Sequence, residues 1–272
     1  MGDTFEQHRA RRGLFSSAVA AYEGGRPGYP DRVYDLLVER CGLGPGSRVL
    51  EIGAGTGQAT GPLLDLGASV HAVEIGPALA DRLRQKFAGR RFTVEVGAFE
   101  EVAVVPGSAD LVVAATSFHW VPTVTGLDRA ADALRAGGWL ALWWNHFGDP
   151  ARPDPFHDAL TPVLERLAPT LLDHADGKTS ASAYPIHAPA RIAEIDAAGR
   201  FGPVHHEVVP WTGRHPPEQL RMMFGSFSSW LALPDEHRTA VLDAVEDLAR
   251  ERFGGVVERP YLTPVYLARR SA

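Results

Sequence analysis

Between residues 47 and 145 the chain alternates short β-branched apolar runs with longer stretches whose apolar positions recur at helical spacing. That is the pattern of a parallel sheet covered by crossover helices. The runs predict strands near 48 to 52, 69 to 74, 91 to 96, 109 to 114 and 138 to 145, with helices at about 57 to 66, 77 to 87 and 123 to 136. Gly137 and Gly138 read as the stop of the third helix, because glycine accepts the left-handed conformation in which helices end. Beyond 146 the pattern loosens. It predicts a helix near 154 to 168, a crossover helix at 188 to 199, and strands at about 203 to 211 and 261 to 269. The helical stretch 216 to 253 separates these two strands, and an insertion of that size in a sheet protein roofs a site. The chain is therefore expected to form a single domain, 1 to 272, with an N-terminal region (1 to 46), a core (47 to 145) and a C-terminal half with cap insertions (146 to 272).

Composition narrows the function classes. With 272 residues, 45% of them apolar, the chain can bury a sizeable core. Its net charge of −6 comes from 27 basic and 33 acidic side chains with no polybasic block, which argues against nucleic acid as a partner. The single cysteine, Cys41, can form no internal disulfide and no thiolate cluster, and the histidines are too scattered for a metal-ligand spacing, so no metal is expected. The first residues lack the apolar core of a secretory signal, and no apolar run approaches the roughly 20 residues of a membrane span. A cytoplasmic protein with no membrane partner is expected; the oligomeric state is not legible.

The chemistry begins at Glu51-Ile52-Gly53-Ala54-Gly55-Thr56-Gly57, where a strand ends, the chain turns tightly, and a helix follows. A dinucleotide fingerprint needs G-x-G-x-x-G, but from Gly53 the third glycine position is Gln58. Glu51 at the mouth of the turn would repel a pyrophosphate and attract an ammonium group. S-adenosylmethionine (SAM) has that ammonium and no phosphate, so SAM is favoured over NAD and an NAD-dependent oxidoreductase is disfavoured. Glu74, about 20 residues on at the end of the second strand, can accept both ribose hydroxyls, a device both cofactors share.

The order E-x-G-x-G-x-G, an acidic residue ending the second strand, GAFEE at 97 to 101 and SFHW at 117 to 120 resembles class I SAM-dependent methyltransferases acting on small molecules. The likeness is to the group related to trans-aconitate and ubiquinone/menaquinone-type methyltransferases, and AAYEGGRPGYP at 20 to 30 and LARR at 267 to 270 extend it over nearly the whole chain. The resemblance implies an α/β, Rossmann-like seven-stranded methyltransferase fold, mostly parallel with an antiparallel last strand, carrying an N-terminal lid and helical cap insertions. It implies further that Gly53, Gly55 and Gly57 hug the methionine part of SAM, that Glu74 binds the ribose, and that Ile75 lies against the adenine. Where many relatives have an adenine-binding aspartate this chain has Ala98, so backbone groups of Ala98 and Phe99, with the Phe99 ring nearby, are expected to take over. Ser117 is placed on the cofactor side, and Tyr22 and Arg26, in the lid, are expected to close over the SAM carboxylate.

Methyl transfer from a sulfonium is a direct displacement that needs alignment and, for some acceptors, a base. His119 follows the fourth strand at the carboxyl edge of the sheet and is the candidate base. Trp120, Trp144, His146 and Trp230, with His119, are the candidate walls of the substrate pocket. The expected reaction is methylation of a small metabolite on a carboxylate or hydroxyl oxygen. The alternatives are nitrogen or carbon as acceptor, or a SAM-binding cyclase, isomerase or sensor that does not methylate.

Overall fold

The computed structural model describes residues 23–172 and 188–271. Tyr22 lies outside the described residues. Strands β1 (Arg48–Ile52), β2 (Ser69–Glu74), β3 (Phe92–Val96), β4 (Ala109–Ala115) and β5 (Leu134–Trp143) are mutually parallel in the spatial order β3-β2-β1-β4-β5. The two-residue β6 (His146–Phe147) continues beyond β5. β8 (Val257–Arg269) pairs antiparallel with β5 and β6 on one edge and with β7 (His205–His215) on the other. The sheet has eight strands where seven were expected. The extra one is β6, a short stub that shares an edge of β8 with β5.

Helices α1 (Asp31–Cys41), α2 (Thr60–Asp65) and α3 (Pro77–Lys86) cover one face, burying Leu36, Leu37, Leu63, Leu83 and the adjoining Phe87 against Val49, Val113 and Trp143. α4 (Thr123–Ala133) and α6 (Ala188–Ala197) cover the other, where Leu127, Ala130 and Ile195 meet Leu50, Val112, Trp144 and Tyr266. With both faces covered, the central strands are apolar on both sides, and for that reason they read as runs rather than alternations. Local signals set the helix ends. Gly42 caps α1 at φ 69°, and Pro77 opens α3 with the fixed φ a first helical position wants.

Gly137 and Gly138 do not stop a helix. α4 runs directly into β5, and the glycine pair lies inside that strand, Gly137 at φ 70°, where the pairing of β4 with β5 shifts register between Ala109 and Leu111. The irregularity needs glycine twice, since a methyl on Gly138 would lie 3.0 Å from the Asp110 carbonyl oxygen.

A third apolar cluster forms the cap. α5 (Pro155–Leu167), α7 (Pro217–Gly225), α8 (Ser228–Leu231) and α9 (Asp235–Phe253) enclose Phe156, Leu160, Leu220, Met223, Val241 and Val245. The buried Arg259 of β8 ties this cap to the sheet by bonding Asp154, whose other carboxylate oxygen accepts the His157 N–H at the start of α5.

Candidate active site

Strand order reverses between β1 and β4, since β2 and β3 lie on one side and β5 on the other. Chains leaving the carboxyl ends of such a pair diverge and open a crevice. A cleft of about 490 Å³, its open mouth included, lies there, lined by Glu51, Gly53, Gly55, Gln58, Thr116 and Asn145 among others.

Glu51, the penultimate residue of β1, is fully buried, and Thr60 Oγ1 donates to its Oε2 at 2.7 Å. Burial pushes its pKa up to about 8, opposed by the Thr60 hydrogen bond and reinforced by the charge of Glu74. Glu74 ends β2 and holds the glycine turn: Gly55 N–H donates to Oε2 at 2.8 Å and Gly76 N–H to Oε1 at 2.9 Å. Burial raises its pKa as well, against the backbone donors that favour the ionised form. With the Ile75 N–H as a third backbone donor, a carboxylate of about four acceptor positions keeps room for one further donor, such as a ribose hydroxyl.

Two of the three expected glycines line the cleft. Gly53 has φ 67° and Gly55 φ 59°; a methyl on Gly53 would meet the Ser117 Cβ at 2.6 Å. Ser117 is buried and its hydroxyl donates to the Ile52 carbonyl, so it braces the turn from beneath. Gly57 does something else. A methyl there would strike the Phe87 ring, so it makes room for the residue that follows α3.

Residues 23–29 cross the mouth of the cleft as a strap. The Glu23 carboxylate receives Arg82 Nε at 2.7 Å and pairs with Lys86 Nζ at 3.4 Å on α3, and the Arg82 bond holds its pKa below the ordinary value. The Gly25 backbone presses on that of Met223 in α7, where a methyl would come within 2.4 Å of the Met223 nitrogen. Arg26 donates to the Ser226 carbonyl at 3.3 Å and lies 4.7 Å over the Phe227 ring while lining the cleft. Asn145 Nδ2 donates to the Gly28 carbonyl at 2.8 Å, and Tyr29 OH donates to Thr116 Oγ1 at 3.0 Å. Asn145 is itself fixed by Thr263, whose hydroxyl donates to its Oδ1 at 2.8 Å.

Several expected positions fall elsewhere. Phe99 is 3% exposed in the core of the second face, under the Arg129 guanidinium, and its carbonyl accepts from Arg129 Nε at 2.8 Å. The Ala98 carbonyl accepts from Glu101 and Val102 in the next turn. The acceptor sides of both peptides are thus engaged by the protein. Ile75 is half-buried just past Glu74, outside the cleft lining. Trp144 is 2% exposed and Trp230 4%, the latter packed on Phe224 inside the cap, so neither presents a wall to a ligand. β-Strand alternation sends Trp143 into one core and Trp144 into the other. His146 is half-buried on β6, its pKa lowered by desolvation, while its neighbours Asn145 and Phe147 line the cleft.

His119 and Trp120 form a 3₁₀ turn after β4, rings 4.9 Å apart, beside the cleft rather than in its lining. Trp144 Nε1 donates to His119 Nδ1 at 3.1 Å. An indole N–H can only donate, so Nδ1 carries the lone pair and the proton of the neutral ring sits on Nε2. In that tautomer Nε2 already holds a proton and Nδ1 accepts from Trp144, so taking up a further proton would require Nδ1 to give up that bond. Among the described residues no cluster of histidine, cysteine or carboxylate side chains is arranged to hold a metal, and no helix is long and apolar enough to cross a membrane.

Sequence reasoning missed Thr116, Gln58 and Phe147. Thr116 had no signal in the pattern, because its distinction is a backbone φ of 55°.

A protein-family profile described as a methyltransferase domain matches residues 50–142. An uncharacterised methyltransferase of Mycobacterium tuberculosis is 31% identical over 234 residues, covering 86% of this chain and 84% of that one. The chain belongs to the class I SAM-dependent methyltransferases. Solved structures share the methyltransferase's fold. A methyltransferase from an Anabaena variabilis antibiotic biosynthesis pathway superposes with TM-score 0.61 at 16% identity over 89% of this chain and 98% of that one. Phosphoethanolamine N-methyltransferase 2 of Haemonchus contortus superposes with TM-score 0.59 at 15% identity over all of this chain, which spans 61% of that enzyme's length.

Proposed function

We propose that this methyltransferase transfers the SAM methyl group to a carboxylate oxygen of a small, partly apolar molecule. The family's cofactor fits the residues present. A fully buried carboxyl, Glu51, faces the cleft with a hydroxyl as its hydrogen-bond partner among the described residues, and an ammonium group is the complement it lacks. Gly53 and Gly55 bring backbone close to the amino-acid part, Glu74 serves the ribose, and Arg26 lies in the lining on the side of the cofactor carboxylate. When bound, SAM supplies an activated methyl that an incoming nucleophile displaces directly.

The single observation that carries the substrate class is the Trp144–His119 hydrogen bond. With the imidazole lone pair held by Trp144 and Glu51 committed to an ammonium, the nucleophile must arrive without a proton to lose. A carboxylate meets that condition at neutral pH; an alcohol or a protonated amine does not. Phe147 and Phe227, edge to face at 5.3 Å, and the half-buried Tyr29 offer an apolar surface to the rest of the molecule.

The test offers the purified protein SAM and matched acceptors: benzoate and octanoate, phenol and octanol, benzylamine and octylamine. S-adenosylhomocysteine formation with the acids alone supports the reading. Turnover of the amines or alcohols in preference to the acids removes it.

A further inference from the structure

The unexpected strand, β6, sets Phe147 in place. The stub pairs antiparallel with β8, His146 opposite Leu262 and Phe147 opposite Tyr261, and Gly148 N–H extends the ladder by donating to the Pro260 carbonyl at 3.0 Å. Side chains alternate along extended backbone, so Asn145 and Phe147 line the cleft while His146 does not. The Phe147 ring therefore has two neighbourhoods. On one side is the cleft; on the other the ring packs on the cap cluster, 5.3 Å from Phe227 and 5.2 Å from Tyr261. The wall behind it is held firmly. Tyr261 is fully buried, stacked on Trp211 at 4.6 Å and hydrogen-bonded through its hydroxyl to His215 Nε2 at 2.8 Å. Phe227 packs edge to face on Phe224 at 5.6 Å.

Position along the sheet decides what Phe147 meets. The carboxylates assigned to the cofactor, Glu51 and Glu74, stand on β1 and β2, whereas Thr116 and Asn145 follow β4 and β5 and Phe147 lies on β6, across the switch point. Neighbouring strands lie about 4.8 Å apart, so Phe147 is on the order of 10 Å from β1, at the end of the cleft left for an acceptor. We propose that Phe147 closes this acceptor end and limits the length of the apolar molecule that the enzyme methylates. The proposal rests on SAM as the cofactor and on a partly apolar acceptor, whichever of its atoms takes the methyl. A chain that runs from the methyl donor toward β6 gains with each methylene it buries until it reaches the ring. There it must displace a side chain backed by Phe227 and Tyr261, and such overpacking costs more than a methylene gains. Truncation of Phe147 to alanine would leave a hollow open to the cleft and walled by Phe227 and Tyr261.

The probes are analogues of S-adenosylhomocysteine whose sulfur is replaced by a nitrogen bearing an unbranched alkyl chain, ethyl to dodecyl, where SAM carries its methyl. Their dissociation constants are read by calorimetry without any acceptor. For the wild type, affinity is expected to rise by up to about fourfold per buried methylene, pass a maximum, and fall once the chain meets the ring. In Phe147→Ala the maximum should move about three carbons longer, the reach of the missing ring, and in Phe147→Trp it should move shorter. The position of the maximum is the readout, so a uniform change of affinity from altered packing does not imitate it. Should Phe147→Ala fail to fold, Phe147→Leu keeps an apolar side chain against the cap and should give an intermediate shift. A maximum at the same length in the wild type and the folded variants overturns the proposal. So does a wild-type affinity that levels off without falling, because the chain then leaves through the mouth of the cleft. Failure of the wild type to bind S-adenosylhomocysteine itself would instead strike at the cofactor. The carboxylate reading concerns the reacting atom of the acceptor and is decided separately, by turnover of the matched acids, alcohols and amines.

Discussion

A methyl group on Gly57 would lie 2.6 Å from Cε2 of Phe87, and Gly57 has φ 86°. The third glycine of the turn is therefore a packing residue that lets α3 approach. Gly57→Ala should destabilise the protein by about 1–3 kcal/mol in urea denaturation, from overpacking and backbone strain together. Adding Phe87→Leu should recover part of that loss, since it relieves the clash but not the strained φ. S-adenosylhomocysteine affinity should stay within about threefold of wild type, the scale of a site with no direct contact. Full stability with lost affinity would mean that Gly57 approaches the cofactor after all.

That glycine shows where reading the chain succeeds and fails. Period and punctuation placed the first four parallel strands to within a residue at each end, because buried parallel strands leave continuous apolar runs, whereas β5 begins four residues before the expected start and the first crossover helix three residues after its own. Gly137 and Gly138 misled, since a helix stop and a strand irregularity both recruit glycine and nothing local separates them. The places of Glu51 and Glu74, near the carboxyl ends of β1 and β2, were legible because each closes an apolar run with a charge. Trp144 and Trp230 were not, because a large aromatic near a cleft serves a core or a wall equally well and only burial decides. The tautomer of His119 depends on a residue 25 positions away, and Thr116 on a dihedral angle; neither leaves a mark in local sequence.

The Trp144 donor fixes which His119 nitrogen is protonated, and this is measurable without a substrate. In ¹⁵N-detected histidine spectra, His119 of the wild type should show an unprotonated Nδ1 and a protonated Nε2. Trp144→Phe removes the donor and should shift the ring toward a mixture of tautomers, with S-adenosylhomocysteine affinity little changed. A wild-type ring protonated on Nδ1 would restore His119 as a candidate base and weaken the assignment of a carboxylate acceptor.

The strap depends on a glycine for a steric reason. A methyl on Gly25 meets the backbone of Met223 at 2.4 Å and cannot be accommodated by a rotamer change. Because Gly25 contributes no side chain to the three apolar clusters, Gly25→Ala should leave the thermal midpoint within a few degrees of wild type. It should weaken S-adenosylhomocysteine by about tenfold, as a lost closure worth roughly 1.4 kcal/mol, and expose the Glu23–Gly24 peptide to a glutamate-specific endopeptidase. Wild-type resistance to that protease in the variant would show that the strap closes regardless.

Glu51 makes both stability and cofactor affinity depend on pH. Its folded pKa of about 8 lies above the ordinary 4.5 because burial disfavours the carboxylate. The native state thus holds a proton that the unfolded chain releases. The stability this confers is fully present below the unfolded value and is lost as pH rises through about 8, by up to about 1.4 kcal/mol per pH unit. An ammonium placed against Glu51 reverses the preference, so binding below pH 8 must expel that proton, and affinity should rise with pH toward 8 and then level. Calorimetry at pH 6.5 in buffers of different ionisation enthalpy should record release of close to one proton per S-adenosylhomocysteine bound. Glu51→Gln keeps the shape and an acceptor for Thr60 while removing the titration. In that variant the proton release should vanish, the fall in stability between pH 6 and 8 should flatten, and affinity at pH 8 should drop by about tenfold or more for the lost charge-assisted contact. Proton release undiminished in Glu51→Gln would assign the titration to another group and leave Glu51 a purely structural carboxyl.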